Sequence, residues 1–189
     1  MIRHRHRLLG SLLSAALLLP LAAAAQTFTP SSNPVTAAAR AQLGRHSKHL
    51  VASAELLPAD KYGYQPTPAQ MTFAQLIAHV VQTNIALCHA ASGVPAPMAP
   101  QELKAVSAAD GKDALTASLR KSFEYCEQAL AKLQDSSLAE EAVIFGQRAG
   151  MDRAAALTTI VVDWADHYST AASYLRLNGL LPPSAAPKK

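Results

Sequence analysis

Asp163 and His167 are the residues of this chain whose types and spacing most directly suggest chemistry. Four apart in a stretch with helical periodicity, they stack a carboxylate and an imidazole on one face, one turn apart, within reach of a single ion. His79 lies beside a second apolar stripe and adds another imidazole if its helix packs on the one that carries His167. Two imidazoles and one carboxylate leave coordination positions for water or substrate, the arrangement used by metals that activate a nucleophile. The simpler alternative is an intrahelical Asp163–His167 ion pair worth roughly 0.2–0.5 kcal/mol, with His79 closing off the core.

The remaining candidates point to less. His46 and His49, three apart, could clasp a metal, but a solvated pair on a helix face is the plainer reading. His89 matches no ligand spacing, and Asp166 points about 100° away from His167 around the helix, as a surface acid does. Glu124 and Glu127 fall outside their helix's apolar stripe and read as solvated. The chain has no Gly-x-Ser-x-Gly elbow, phosphate loop or dinucleotide-binding glycine turn, so no catalytic residue is assigned.

Four helices are needed to position these groups. In the last, Leu157, Ile160, Val161, Trp164, Tyr168, Ala171 and Leu175 recur at three- and four-residue steps, with Gly179 as left-handed terminus and Pro182 and Pro183 as a stop. A first helix over about 34–57 has Asn33 as cap and buries Val35, Ala39, Leu43, Leu50 and Leu57. Thr72 opens a second, with Phe73, Leu76, Ile77, Val80, Leu87 and Ala91 inward. The third covers about 113–133 and buries Leu115, Leu119, Phe123, Cys126, Leu130 and Leu133. Between the second and third, Gly93 and prolines 95, 97 and 100 make a long connection that suits a crossover. The stretch 136–150 is expected to be an extended segment packed on the helices, and 184–189 lacks the apolar character to order itself. The expected fold is therefore all-α: a four-helix bundle, monomeric in its core, with a crossover between helices two and three.

Several of these stretches resemble one family. His167-Tyr168, then Tyr174-Leu175-Arg176-Leu177-Asn178-Gly179 and Pro182-Pro183, look like the last-helix signature of the DinB-like metal-binding bundles. The run from Ala54 through Tyr64, Pro66-Thr67-Pro68, Phe73 and Leu76-Ile77-Ala78-His79 is similar to that family's first turn and second helix. The resemblance implies a metal held by one histidine of the second helix and an HxxxH pair on the last. His79 and His167 fall on those positions; Asp163 stands where the family usually has the first histidine of the pair. Two imidazoles and one carboxylate suit a divalent transition metal, zinc, nickel, iron or manganese, and the reaction that the resemblance implies is metal-dependent hydrolysis of an unknown small molecule or thiol S-transfer. A non-catalytic or stress-associated bundle with a degenerate metal site is the competing expectation. The resemblance also makes a homodimer, paired through the alanine-rich first helix, an expectation.

Compartment is read from residues 1–25. Arg3, Arg5 and Arg7, an apolar run from Leu8 to Leu21 and Ala23-Ala24-Ala25 make a signal peptide with cleavage before Gln26, so a periplasmic or secreted chain without stable membrane insertion is expected. Cleavage removes three arginines and no acid, taking the net charge from +4 to +1 with histidines neutral, which excludes a strongly basic nucleic-acid surface. In an oxidising compartment Cys88 and Cys126, near the inward faces of helices two and three, are expected to pair, the alternative being two buried thiols.

Overall fold

The computed structural model describes residues 30–187; the proposed signal peptide lies outside the described residues. The chain is mostly helical, with four long helices, α1 (Pro34–Leu56), α2 (Phe73–Ser92), α4 (Gly111–Ala131) and α5 (Arg153–Leu177), a short α3 (Pro100–Ala105), and one antiparallel hairpin of β1 (Glu141–Ile144) and β2 (Gln147–Asp152). The hairpin corrects the all-α expectation. Phe145 and Gly146 both adopt positive φ (50° and 81°), the two-residue turn that matches the twist of paired strands. Ala142 is buried, and the Phe145 ring lies 5.5 Å from that of His89. No helix among the described residues is long and apolar enough to cross a membrane.

Local signals fix the helix ends. Thr72 and Gln75 form a reciprocal capping box at the start of α2, and Asp152 accepts from Ala155 N–H at the start of α5. Gly179 is left-handed (φ 74°), as its position after the last periodic residue suggested. The start of α1 differs from expectation. Asn33 makes no side-chain cap; the carboxylate of Asp135, distant in sequence, accepts from Val35 and Thr36 N–H at 2.9 Å each, while Asn33 Oδ1 accepts from Asp135 N–H. Val35 is 52% exposed, not buried; the residue that this first turn buries is its neighbour Thr36. At the other end of the chain, 183–185 form a turn in which Ser184 N–H donates to the Tyr168 hydroxyl, so this start of the expected unstructured tail is held against α5.

α2 packs on α4 and α5, and α1 packs on the same two helices, so α1 and α2 face each other diagonally. The pairs Asn84–Ser122 and Cys88–Cys126 advance together along the chain, so α2 and α4 run parallel. Parallel neighbours require a connection that returns along their length. Residues 93–110 do this: Gln82, halfway along α2, donates to the carbonyls of Leu103 and Val106. Cys88 and Cys126 are joined as a disulfide with Cα atoms 5.4 Å apart.

One polar chain crosses the core. Trp164 Nε1–H donates to Asn84 Oδ1 (2.7 Å), Asn84 Nδ2 donates to Ser122 Oγ (2.9 Å), and Ser122 Oγ–H donates to Leu119 O. All three side chains are buried and their polar groups partnered, so the chain sets the register of α5 against α2 at little desolvation cost. Asn84→Ala leaves the Trp164 N–H and Ser122 short of partners and is expected to destabilise the fold by about 2 kcal/mol. Urea unfolding followed by fluorescence of Trp164, the sole tryptophan, measures it; an unchanged midpoint would show that the network does not hold the register.

Candidate metal centre

The register set by Asn84 and Trp164 places the residues one step and one turn away. Thr83 meets Asp163 beside that pair, and because α2 and α5 run antiparallel, His79, before Asn84, meets His167, after Trp164. One ligand atom from each of His79, Asp163 and His167 can be chosen so that all three lie within 4.8 Å of one another. Metal–ligand bonds of about 2.0–2.1 Å need donor atoms roughly 3.3 Å apart in tetrahedral geometry, so side-chain adjustments of about 1 Å close the triad on an ion.

Neighbouring groups orient two of the three ligands. His167 Nδ1 lies 2.7 Å from the backbone carbonyl of Asp163. A carbonyl only accepts, so Nδ1 is the donor here, and in the neutral ring that leaves Nε2 as the nitrogen able to ligate a metal. Asp163 Oδ2 accepts from the Thr83 hydroxyl at 2.8 Å, and Oδ1 lies 3.4 Å from His167 Nδ1. Asp163 and His167 are 17% and 12% exposed, low enough to limit water and high enough to admit a ligand. The His79 ring lies 4.9 Å from that of His167. Burial, with the nearby His167, pushes the His79 pKa down against the opposing pull of Asp163, which favours the neutral form that binds metals. The donor set, tautomer and protonation bias fit a divalent transition metal.

Thr83 was not singled out in the sequence. It stands four residues after His79, on the face that carries the ligand, and that spacing was the available signal. Asp166 is exposed, as its angular position implied, and His89 donates from Nδ1 to Val94 O, away from the triad. His46 and His49 depart from the solvated pair expected of them. His46 is 8% exposed, the His49 ring stacks on Tyr168 at 4.6 Å, and neither Nδ1 has a hydrogen-bond partner. They face α5 through Tyr168, because α1 packs along that side, and are not part of the triad.

Burial lowers both pKa values, assisted at His46 by His49 and Arg45 and at His49 by Arg45. Folding thus favours the neutral rings, and the stability they contribute is present above the ordinary value of 6.5 and lost as pH falls through the lower folded values. The metal-free protein should melt at a constant temperature above about pH 7 and at falling temperature below about pH 6.5. His46→Gln should flatten that slope in a melting series; an unchanged slope would remove His46 as its source.

A groove of about 760 Å³ opens beside His79, between α2, the 65–71 loop and the 106–109 segment. A smaller hollow of about 590 Å³ is lined by α5 residues including Thr159, Asp163 and Asp166. Of the triad, His79 lines the groove and Asp163 lines the hollow.

The fold has known counterparts. A DinB-like protein from Bacillus cereus ATCC 10987 superposes with a TM-score of 0.60 at 17% identity, covering 77% of this chain and 93% of that one. The mycothiol-dependent maleylpyruvate isomerase superposes with a TM-score of 0.55 at 20% identity, over 71% of this chain and 59% of that one, so the chain spans little more than half the isomerase. At such identities the likeness is one of fold. Comparison with curated protein sequences gives no match. The family profile of the DinB superfamily matches residues 42–171, a span that runs from α1 through both helices of the triad, and the chain belongs to that superfamily.

Proposed function

We propose that this chain is an exported DinB-superfamily protein that binds one divalent transition metal through His79, Asp163 and His167 and hydrolyses a small molecule there. The observation that carries the reading is the convergence of the three ligand atoms within 4.8 Å, with the His167 tautomer set by a backbone carbonyl. Two imidazoles and a carboxylate suit zinc, nickel, iron or manganese, and the Asp163 oxygen shifts preference towards the harder ions. When bound, such an ion supplies Lewis acidity and a water of lowered pKa. The chain's own residues hold the Nδ1 proton of His167, anchor Asp163 through Thr83, and admit a ligand along the groove at His79.

The same proposal takes 26–183 as one four-helix bundle, with 93–110 as its crossover, after removal of 1–25. Its export rests on the N-terminal pattern of charged, apolar and small residues. Intact mass of the periplasmic protein should correspond to a chain beginning at Gln26; Met1 retained in the membrane fraction would overturn export. A homodimer through α1 belongs to the proposal as well, and a sedimentation mass of one chain at micromolar concentration would remove it.

Metal analysis of the purified mature protein, followed by a panel of esters and amides with and without chelator, tests the function. One metal per chain and turnover abolished by chelator are expected. One metal without turnover would leave a binding bundle. Thiol S-transfer is the second reading, favoured by the likeness in fold to the mycothiol-dependent isomerase. Export weighs against it, because thiol cosubstrates are largely cytoplasmic.

A further inference from the structure

The groove beside His79 has a chemistry of its own. Its floor is one face of α2, presenting Gln75, His79 and Gln82, and its walls carry Gln65, Gln70 and Ser107. No lysine, arginine, aspartate or glutamate lines it. Away from His79, where a bound ion would add positive charge, a charged ligand group entering this groove would give up water without finding an opposite charge on the lining, which is unfavourable.

Backbone partners decide which end of each floor glutamine faces outward. Gln75 Oε1 accepts from Thr72 N–H at 2.7 Å, so its NH2 is left to donate. Gln82 Nε2 donates to Val106 O at 2.9 Å, and its Oε1 is left to accept. On the wall, Gln70 Oε1 accepts from the Thr67 hydroxyl, which leaves a second donor. Gln75 and Gln82 are seven residues apart on one helical face, about 10.5 Å along the axis, and His79 stands between them.

We propose that this groove binds an uncharged ligand about 10 Å long that offers an acceptor to Gln75 and a donor to Gln82, with its middle beside His79. The shared chemistry is that of neutral amide groups at that separation, carried by a blocked dipeptide or an N-acetylated disaccharide. The proposal names the substrate class of the metal site and rests on that reading for turnover; binding in the groove does not itself require the metal.

The test uses the mature, isotope-labelled protein supplied with zinc, with amide resonances followed during titration and metal content measured on the same sample. The probes are acetyl-dialanine amide and N,N′-diacetylchitobiose, against acetyl-dialanine with a free carboxylate and chitobiose with free amines. At least one neutral probe should shift the resonances of Gln75, His79 and Gln82 saturably, with its charged counterpart weaker by about tenfold or more; which neutral probe wins separates the peptide from the sugar source. Gln70→Glu, on the exposed loop, should raise the affinity of the free-amine disaccharide. Charged probes that bind as tightly as the neutral ones, or four probes that leave the groove resonances unmoved, would overturn the proposal. A zinc-supplied sample that retains no metal while its groove still selects neutral probes would overturn the metal reading and leave this one standing.

Discussion

In His167→Ala, metal retained through purification is expected to fall from the proposed one equivalent per chain to background, and the metal-dependent part of thermal stability with it. His167 donates its Nδ1 proton to a backbone carbonyl, so its ring is held with Nε2 available before any ion arrives. Removing it would delete one of the three proposed ligands, an effect expected to exceed the 10–100-fold typical of losing an outer partner. An affinity loss of at least ~100-fold corresponds to about 2.7 kcal/mol. Because an ion that binds only the folded chain stabilises it, the melting temperature of His167→Ala should be insensitive to zinc, manganese or chelator, whereas that of the unsubstituted protein should not. His79→Ala should behave alike. Thr83→Val, which removes only the hydroxyl that holds Asp163, should weaken binding by about 10–100-fold without abolishing it. That graded order separates a metal centre from an ion pair; equal melting curves with metal and chelator in the unsubstituted protein would discard the centre altogether.

Loss of the Cys88–Cys126 bridge is expected to destabilise the fold by about 4 kcal/mol, the chain-entropy value for a loop of this length. The bridge closes 38 residues, including all of the 93–110 connection, and joins the two parallel helices, α2 and α4. Both cysteines are fully buried, so a serine pair would also leave hydroxyls in an apolar setting; the alanine pair is the cleaner variant. Denaturant midpoints of oxidised, reduced and Cys88→Ala/Cys126→Ala proteins should place the last two together and well below the first. Thiol titration of the denatured, unreduced protein should find none free. Two reactive thiols would remove the bridge, and with it one support for an oxidising compartment.

The sequence alone determined the four long helices, because apolar residues at three- and four-residue steps leave little choice of face: Leu115, Leu119, Phe123, Cys126, Leu130 and Leu133 are all buried as their spacing required. It also determined the ends marked by Thr72 and Gly179, where capping chemistry is local. The i,i+4 relation of Asp163 and His167 was legible for the same reason, since both lie on one helix. The rest depended on contacts between distant segments. Which helices are neighbours decided whether His79 meets His167, and that register is held by Asn84 and Trp164, eighty residues apart. Asp135 rather than Asn33 holds the first turn of α1 because a distant carboxylate reaches its free N–H groups, and no local pattern announces that. His46 and His49 looked solvated because a helix does not record which of its polar faces another helix will cover; Tyr168 covers theirs. The orientation of Gln75 and Gln82 likewise became definite only when the capping box and the returning 93–110 segment took one end of each amide, since a free carboxamide offers donor and acceptor equally until a neighbour takes one of them.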